Sequence, residues 1–246
     1  MRIDAILSPA ELPALVKRDL RGTVCVVFDV LRATSTFVTA LHNGAKAVIP
    51  VSEIAEALAI RQKQPDVLLG GERDGVRIRA SQTGGIDFDF GNSPREYTPE
   101  KVRGKTIVST TTNGTRALRA CTGAKTVLAA SFLNLTATAE FLKKIHPAQI
   151  VLICAGTYEN RADEDVLAAG ALCEMLEAEF SDSAKIAQRA YAEAKPDLAL
   201  AARNSENARR LLSIPELRDD VAFCLRQDVY NLIAALGRDG AIRILI

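Results

Sequence analysis

A carboxylate, an arginine and several hydroxyl residues lie together at residues 28–36 of this 246-residue chain. Asp29 ends an apolar, strand-like segment, and Arg32, Thr34 and Ser35 follow it at the start of a helical pattern. Asp29 can hold a divalent cation, while the other three residues can bind a phosphate or a similar anion. The alternative is a helix cap formed by Thr34 or Ser35, with Arg32 paired to Asp29. We favour function, because capping does not explain a carboxylate at the end of a buried strand.

Glu72 and Arg73 follow two glycines at the end of a second short apolar segment. The paired glycines permit close approach of the backbone, and the two charged residues are a metal-ligand type and an anion-binding type. Because Gly-Gly is also ordinary turn chemistry, this motif leaves function and a simple turn equally open.

A run of four hydroxyl residues at 109–112 leads through an Asn-Gly pair into a third helical pattern. This composition suits phosphate binding by hydroxyl and backbone N–H groups, although the lysine-containing P-loop pattern is absent. An Asn-Gly turn followed by a Ser/Thr helix cap is the alternative. The candidate substrate-binding residues here are Thr111, Thr112, Asn113, Gly114 and Arg116.

Acidic residues are concentrated at 159–165, again after an apolar strand-like segment. Glu164 and Asp165 are candidate Mg²⁺ ligands, since this ion prefers carboxylate oxygens. Stabilisation of acidic residues by a helix N-terminus is the structural alternative. Cys154 ends the preceding strand, but no histidine accompanies it to form a nucleophile–base pair, so we do not assign it as a nucleophile.

Two smaller features complete the set of polar motifs. Asn92 and Ser93 lie in a turn-forming segment and can donate hydrogen bonds to a ligand, although turn chemistry explains much of their occurrence. The basic residues Arg203, Arg209 and Arg210 are interpreted as a solvated helix face.

The elements that must position these residues alternate between strand and helix. The predicted strands are residues 23–30, 46–51, 66–69, 105–110, 125–130, 149–154 and 241–246. The predicted helices are residues 35–43, 53–62, 115–120, 133–144, 163–180, 182–194, 205–212 and 215–226. The pattern predicts an α/β three-layer sandwich with a mostly parallel or mixed sheet and a helix-rich C-terminal third. We expect a single α/β domain over residues 1–246, or two closely packed lobes that meet near residues 155–165.

Composition narrows the class of protein. The 31 basic and 30 acidic residues leave a net charge of +1, which removes the electrostatic argument for nucleic acid binding. Hydrophobic residues make up 48% of the chain, the balance of a globular protein. Five widely spaced cysteines and only two histidines argue against a zinc site. Without an apolar leader or a membrane-spanning run, we expect a cytoplasmic protein that does not bind a membrane.

Five motifs, in the same order along the chain, resemble the 2-phosphosulfolactate phosphatases, the ComB-type proteins of coenzyme M biosynthesis. They are DVLRATST at 29–36, LLGGER at 68–73, FDFGNSP at 88–94, TTTNGTR at 110–116 and the acidic pair 164–165 followed by Ala-Gly at 169–170. The resemblance implies a three-layer α/β fold and Mg²⁺-dependent hydrolysis of 2-phospho-3-sulfolactate to 3-sulfolactate and phosphate. It is also compatible with a homodimer. The chain departs from the family pattern at residues 79–86, which form a longer link, and at Asp87, where a glycine is expected.

Our mechanistic hypothesis assigns Mg²⁺ to Asp29 with one or more of Glu72, Glu164 and Asp165. The proposed catalytic residues are Asp29, Arg32, Glu72 and Asp165; the proposed substrate-binding residues are Thr34, Ser35, Arg73, Asn92, Ser93, Thr111, Thr112, Asn113, Gly114 and Arg116. An acidic residue of the set acts as general base or as phosphoryl acceptor. The alternatives are a phosphatase for another small phosphorylated acid and a non-catalytic protein that binds a phosphorylated metabolite.

Overall fold

A single mixed sheet runs through the part of the chain that the computed structural model describes, residues 1–245. Its strands are β1 (Arg2–Ile6), β2 (Thr23–Phe28), β3 (Ala47–Pro50), β4 (Leu68–Arg73), β5 (Val76–Arg77), β6 (Thr106–Thr110), β7 (Thr126–Ala130), β8 (Gln149–Cys154), β9 (Glu179–Phe180), β10 (Ala234–Leu236) and β11 (Ile242–Ile244). Their order across the sheet is β5-β4-β6-β3-β11-β10-β7-β2-β8-β1-β9.

Helices connect most of these strands. In the same residues they are α1 (Leu12–Leu15), α2 (Ala33–His42), α3 (Ile54–Lys63), α4 (Ala80–Thr83), α5 (Pro99–Val102), α6 (Gly114–Ala120), α7 (Leu135–Ile145), α8 (Asp163–Glu174), α9 (Asp182–Ala194), α10 (Leu198–Arg203), α11 (Glu206–Ser213) and α12 (Arg218–Cys224). No helix within the described residues is both long and apolar enough to cross a membrane.

Continuous apolar runs in the central strands bury both faces of the sheet. Val24, Val26 and Phe28 of β2 pack on one face, against α7–α12. Cys25 and Val27, which alternate with them, pack on the other face, against α1, α2 and α6. Because successive side chains of a strand point to opposite faces, a strand buried on both sides requires a helix layer on each. The predicted α/β sandwich is confirmed.

The direction of the strands reverses in the middle of the sheet. β1, β2, β7, β8 and β9 are parallel to one another, and β3, β4 and β6 form a second parallel group. The antiparallel hairpin β10–β11 joins β7 to β3, so the two groups run in opposite directions. A flat sheet would place their carboxyl ends on opposite edges. The ends nevertheless meet, since Asn113 Nδ2 donates to the carbonyl oxygen of Ala155 at 2.9 Å, so the sheet must twist strongly between the groups.

Several predicted boundaries change in the structure. The helix predicted at 163–180 is wrong in its last turns: α8 ends at Glu174, and Glu179–Phe180 forms β9, the edge strand, which pairs with β1. The strand predicted at 66–69 extends as β4 through both glycines to Arg73, so the charged pair is part of the sheet. The sequence analysis missed the short elements β1, β5, β10, α1, α4, α5 and α10. The strand predicted at 241–246 is β11, and Ile246 lies outside the described residues. The division into one domain or two lobes stays a prediction.

Candidate active site

Segments that are distant along the chain line one pocket at the ends of β2, β4, β6 and β8. The sequence-predicted residues that face this pocket are Asp29, Arg32, Glu72, Asn92, Thr112 and Asn113. α11 covers the pocket from outside the sheet and contributes Asn207 and Arg210. Carboxylates, amides and guanidinium groups therefore converge in one small volume.

Asp29 lies directly after β2, at the N-terminal end of α2. Its Oδ1 accepts a hydrogen bond from the backbone N–H of Ala33 at 2.9 Å. Burial raises the pKa of Asp29 to about 7, and the negative charges of Glu72 and Glu164 add to the rise. Because burial disfavours the charged form of this carboxyl group, a nearby cation would stabilise that form.

Glu72 is the second carboxylate that lines the pocket. Its Oε1 accepts from the backbone N–H of Thr112 at 2.8 Å, and its Oε2 from that of Gly75 at 2.7 Å. These two bonds tie the end of β4 to the loop after β6 and fix the orientation of the carboxylate. Glu72 is therefore a preorganised anionic group, with further lone pairs free for a ligand.

Arg32 is held almost completely out of solvent, with 3% of its surface exposed. Its Nη1 donates to Asp220 Oδ2 at 2.8 Å, and its Nη2 donates to the carbonyl oxygen of Gly75 at 2.6 Å. Asp220 also accepts from Ser93 Oγ at 2.7 Å and from Arg95 Nε at 2.8 Å. The ion-pair partner of Arg32 is thus Asp220 on α12 rather than Asp29, the partner considered in the helix-cap alternative.

Three predicted hydroxyl residues support the loops from behind the pocket. Thr34 Oγ1 accepts from the backbone N–H of Asp29 at 3.0 Å and donates to the carbonyl oxygen of the same residue at 2.9 Å. Ser35 Oγ donates to the carbonyl oxygen of Val30, and Thr111 Oγ1 accepts from the N–H of Thr115. None of the three faces the pocket, so their predicted contact with substrate is untested.

Two predicted arginines also lie away from the pocket. The guanidinium of Arg73 donates to Thr110 Oγ1 at 3.0 Å and to backbone carbonyl oxygens, including that of Ser52. Arg73 and Glu72 point to opposite faces because they are neighbours in a strand. Arg116 pairs with Glu159 in an exposed ion pair.

Asp165 and Glu164 lie beneath the pocket at the start of α8. Asp165 Oδ1 accepts from the N–H of Val30 at 2.8 Å and Oδ2 from that of Gly156 at 2.9 Å, so this carboxylate joins the loops after β2 and β8. Burial, followed by the charges of Glu164 and Asp29, raises the pKa of Asp165. Glu164 Oε1 accepts from Asn207, and burial raises the pKa of Glu164 as well. Their predicted roles as metal ligands stay predictions.

The residues that face the pocket fit a magnesium ion. Within residues 1–245, no three His, Cys, Asp or Glu side chains form a ready-made metal cluster. Mg²⁺ does not require one, because it is usually held by one or two carboxylates together with substrate phosphate and water. Asp29 and Glu72 meet that requirement. Two neutral oxygens of the same pocket, Asn92 Oδ1 and Thr157 Oγ1, are buried without a hydrogen-bond partner.

The sequence analysis missed three residues that line the pocket, Tyr158, Asn207 and Arg210. It interpreted Arg210, together with Arg203 and Arg209, as part of a solvated helix face, and for Arg210 this is wrong. Arg203 and Arg209 are exposed as expected, but Arg210 is half-buried and turns into the pocket. Asn207 and Arg210 are three residues apart in α11 and share a face of the helix. That spacing was the available signal, although only the packing of α11 shows which face is covered.

The pocket opens into a larger basic groove. The inner cavity has a volume of about 30 Å³, whereas the outer groove has about 600 Å³. They share Arg32, Gly75 and Asn92. The remaining charged residues of the groove are Arg77, Arg79, Arg95, Lys101, Glu96 and Glu216. A ligand larger than a water molecule or a small ion must extend toward this groove or displace side chains at the mouth.

Gly114 allows the start of α6 to approach Asp29 closely. A Cβ added at Gly114 would lie 2.5 Å from Asp29 Oδ2 and 2.6 Å from Ala33 Cβ. We therefore expect Gly114→Ala to displace Asp29 and to lower kcat/KM by roughly tenfold or more, since small displacements of a reacting group are costly. Gly22→Ala is the matched control, because a Cβ there has no neighbour within 4 Å. Steady-state kinetics of both variants test this, and equal activities would contradict it.

Known proteins resemble this chain over most of its length. A family model described as 2-phosphosulpholactate phosphatase matches residues 10–238. The probable 2-phosphosulfolactate phosphatase of Thermotoga petrophila is 42% identical over 235 residues, which cover 95% of each chain. The proteins of the same description from Caldanaerobacter subterraneus subsp. tengcongensis and Clostridium acetobutylicum are 39% and 35% identical, and the matches cover 92% or more of each chain.

Proposed function

The chain belongs to the 2-phosphosulfolactate phosphatase family of phosphoric monoester hydrolases, and we propose that it hydrolyses 2-phospho-3-sulfolactate to 3-sulfolactate and phosphate with Mg²⁺. The observation that carries this proposal is the convergence of Asp29, Glu72, Arg32 and Arg210 in one pocket. This set joins carboxylates that suit a hard cation to guanidinium groups that suit an anion. We further propose a cytoplasmic role in sulfonate biosynthesis of the coenzyme M type.

Electrostatics supports the need for a cation. The two carboxylates that line the pocket would repel a phosphate ester if both were charged and uncompensated. Asp29 and Glu72 would hold the Mg²⁺, and the ion would neutralise phosphoryl oxygens and stabilise the charge that develops in the transition state. Burial is the main cause of the raised pKa of Asp29, and the charges of Glu72 and Glu164 add to it, so a bound cation would favour the charged form.

The side chains around the two carboxylates supply orientation. Glu72 is held by two backbone N–H groups, and Arg32 is held by Asp220 and Gly75, so neither has to reorganise when the substrate binds. Preorganised charges and donors of this kind are the main protein contribution to phosphoryl transfer. Hydrolysis breaks the bond between phosphorus and the ester oxygen, forms a bond from phosphorus to a water oxygen, and returns a proton to the leaving alkoxide.

Asn113 and Asp165 position the loops that carry these groups. Asn113 Nδ2 donates to the carbonyl oxygens of Ala155 and Tyr158, and its Oδ1 accepts from the N–H of Tyr158. Both N–H donors of its side-chain amide are therefore used in joining the loops after β6 and β8. We assign Asn113 and Asp165 to positioning rather than to direct contact with phosphate.

Phosphate release from 2-phosphosulfolactate tests the proposal. We expect release with Mg²⁺, a fall to about 1% or less of that rate with excess chelator, and recovery when Mg²⁺ is added back, on the scale expected for loss of a metal that stabilises transition-state charge. Release that persists in chelator would overturn the metal requirement. Binding without release at any Mg²⁺ concentration would overturn the phosphatase proposal in favour of a non-catalytic binding protein.

A second candidate is a phosphatase for another small phosphorylated acid. The outer groove favours it, because its basic lining extends well beyond the inner cavity and includes Arg79, at the start of the longer link at residues 79–86. A panel of phosphorylated acids assayed with Mg²⁺ separates the two candidates by their kcat/KM values.

A further inference from the structure

Arg210 differs from the other guanidinium of the inner pocket in having no carboxylate partner. Arg32 is paired with Asp220. Arg210, by contrast, contacts only neutral groups: its Nη1 donates to Tyr158 Oη at 3.3 Å and its Nη2 to Asn207 Oδ1 at 3.0 Å. Within residues 1–245, no acidic oxygen lies within 4 Å of its nitrogens. Its positive charge is therefore available to a ligand.

The third nitrogen of the Arg210 guanidinium also lacks a partner. Its Nε is shielded from solvent and makes no hydrogen bond within the described part of the chain. The hydroxyl of Thr157, which lines the same pocket, is in the same condition, and both groups can donate a hydrogen bond to an anion. Buried polar atoms without partners are uncommon in folded proteins. Their concentration around one pocket indicates a ligand that completes these bonds.

Gly75 brings Arg210 beside the proposed phosphate site. A Cβ added at Gly75 would lie 3.8–3.9 Å from the Nη2, Cζ and Nε atoms of Arg210, so the guanidinium packs over this glycine. The N–H of Gly75 donates to Glu72, and its carbonyl oxygen accepts from Arg32. Arg210 thus packs against the residue that binds both Glu72 and Arg32, but it belongs to α11 and not to the sheet.

We propose that Arg210 binds a second anionic group of the substrate, a carboxylate or a sulfonate, and so selects phosphate esters that carry one. This inference rests on the proposed function, because it takes the phosphate to lie at Asp29 and Glu72. The planar guanidinium matches an oxyanion with two parallel N–H donors. Tyr158 and Asn207 hold it in place, and Tyr158 Oη also donates to Asp74 Oδ1 at 2.8 Å.

A series of four phosphate esters, assayed with the wild type and with Arg210→Ala, tests this role. Besides the phosphate, 2-phospho-3-sulfolactate carries a carboxylate and a sulfonate, 2-phospholactate carries only the carboxylate, and the phosphate ester of 2-hydroxyethanesulfonate carries only the sulfonate. Isopropyl phosphate carries neither group. We expect kcat/KM to fall by about 10- to 100-fold, mainly through KM, for the esters with the recognised group, on the scale of a lost charge-assisted hydrogen bond. For isopropyl phosphate we expect a fall of less than about threefold. The two single-anion esters identify the recognised group.

Arg210→Lys and Arg209→Ala are the matched variants. Lysine keeps the charge without the planar donors, so we expect partial recovery. Arg209 is the exposed neighbour on α11 and its variant should behave as the wild type. Thermal unfolding of each variant shows whether it is folded. An equal loss on all four esters would overturn the proposal, because Arg210 would then act on the phosphate; an unchanged KM would overturn it as well.

Calorimetry with 3-sulfolactate separates this inference from the proposed function. The product lacks the phosphate, so its binding requires no turnover. We expect Arg210→Ala to weaken binding by about tenfold or more, while Arg209→Ala does not. If the wild type releases no phosphate but binds 3-sulfolactate through Arg210, the phosphatase proposal fails and the anion site stands. Equal affinity of the wild type and Arg210→Ala would overturn the anion site.

Discussion

Asp29→Asn is expected to lower kcat/KM for 2-phosphosulfolactate by about 10³-fold or more while the protein remains folded. The substitution removes a negative charge from the pocket but keeps a side-chain oxygen that can accept from the N–H of Ala33, as Oδ1 does in the wild type. The loss arises because the remaining pocket carboxylate, Glu72, would hold Mg²⁺ alone. Removal of a buried carboxyl that is costly to ionise should not lower the free energy of unfolding.

Asp163→Asn is the matched control for this variant. Asp163 belongs to the acidic run at the start of α8, but it is exposed and pairs with Arg161 at the surface. We expect its kcat/KM to stay within about twofold of the wild-type value, since exposed ion pairs contribute little. Steady-state kinetics and circular dichroism are measured for both variants. Wild-type activity in Asp29→Asn would remove Asp29 from the mechanism.

Arg32→Ala is expected to lower the free energy of unfolding by about 3 kcal/mol or more, as well as activity. The substitution leaves the carboxylate of Asp220, which has no exposed surface, without its closest buried cation. Removal of one partner of a buried ion pair typically has an effect of this size. For a chain of this length the melting temperature should fall by roughly 6–12 °C.

Arg116→Ala provides the comparison for Arg32→Ala, because both arginines were predicted to bind phosphate. Arg116 pairs with Glu159 in an ion pair that is largely exposed, so its loss should cost less than about 1 kcal/mol. Urea unfolding and phosphate release of the two variants are measured side by side. If Arg32→Ala were no less stable than Arg116→Ala, the ion pair with Asp220 would not contribute to stability.

The ends of the strands are the part of the site that could be predicted from sequence. Asp29, Glu72 and Asn113 each follow or end an apolar, β-branched run, and such runs are recognised from composition alone. The rule that ligands bind at strand ends then directs attention to these residues. The same rule does not say which side chains face the pocket. Thr34 and Arg73 have suitable chemistry, but the hydroxyl of Thr34 donates to the backbone, and Arg73 donates to backbone carbonyl oxygens and to Thr110 Oγ1.

The contributions of the C-terminal helices could not be predicted. Asp220 and Arg210 lie in short helices where a neighbour of the same charge, Asp219 or Arg209, is exposed, so residue type does not show which of the two is covered. Their roles arise from packing over long distances in the chain, as in the contact between Arg32 and Asp220. The strand β10 was missed because three residues have too little periodicity to be recognised, and although β11 was predicted, composition does not give the direction of a strand.

The most direct measurement is phosphate release from 2-phosphosulfolactate by the wild type and Asp29→Asn, each with Mg²⁺ and with excess chelator. If Asp29 and Glu72 hold the ion that makes hydrolysis possible, only the wild type with Mg²⁺ releases phosphate at a substantial rate, and the variant is equally slow in both conditions. A wild type that is indifferent to the chelator, or a variant that regains full activity with Mg²⁺, would contradict that assignment.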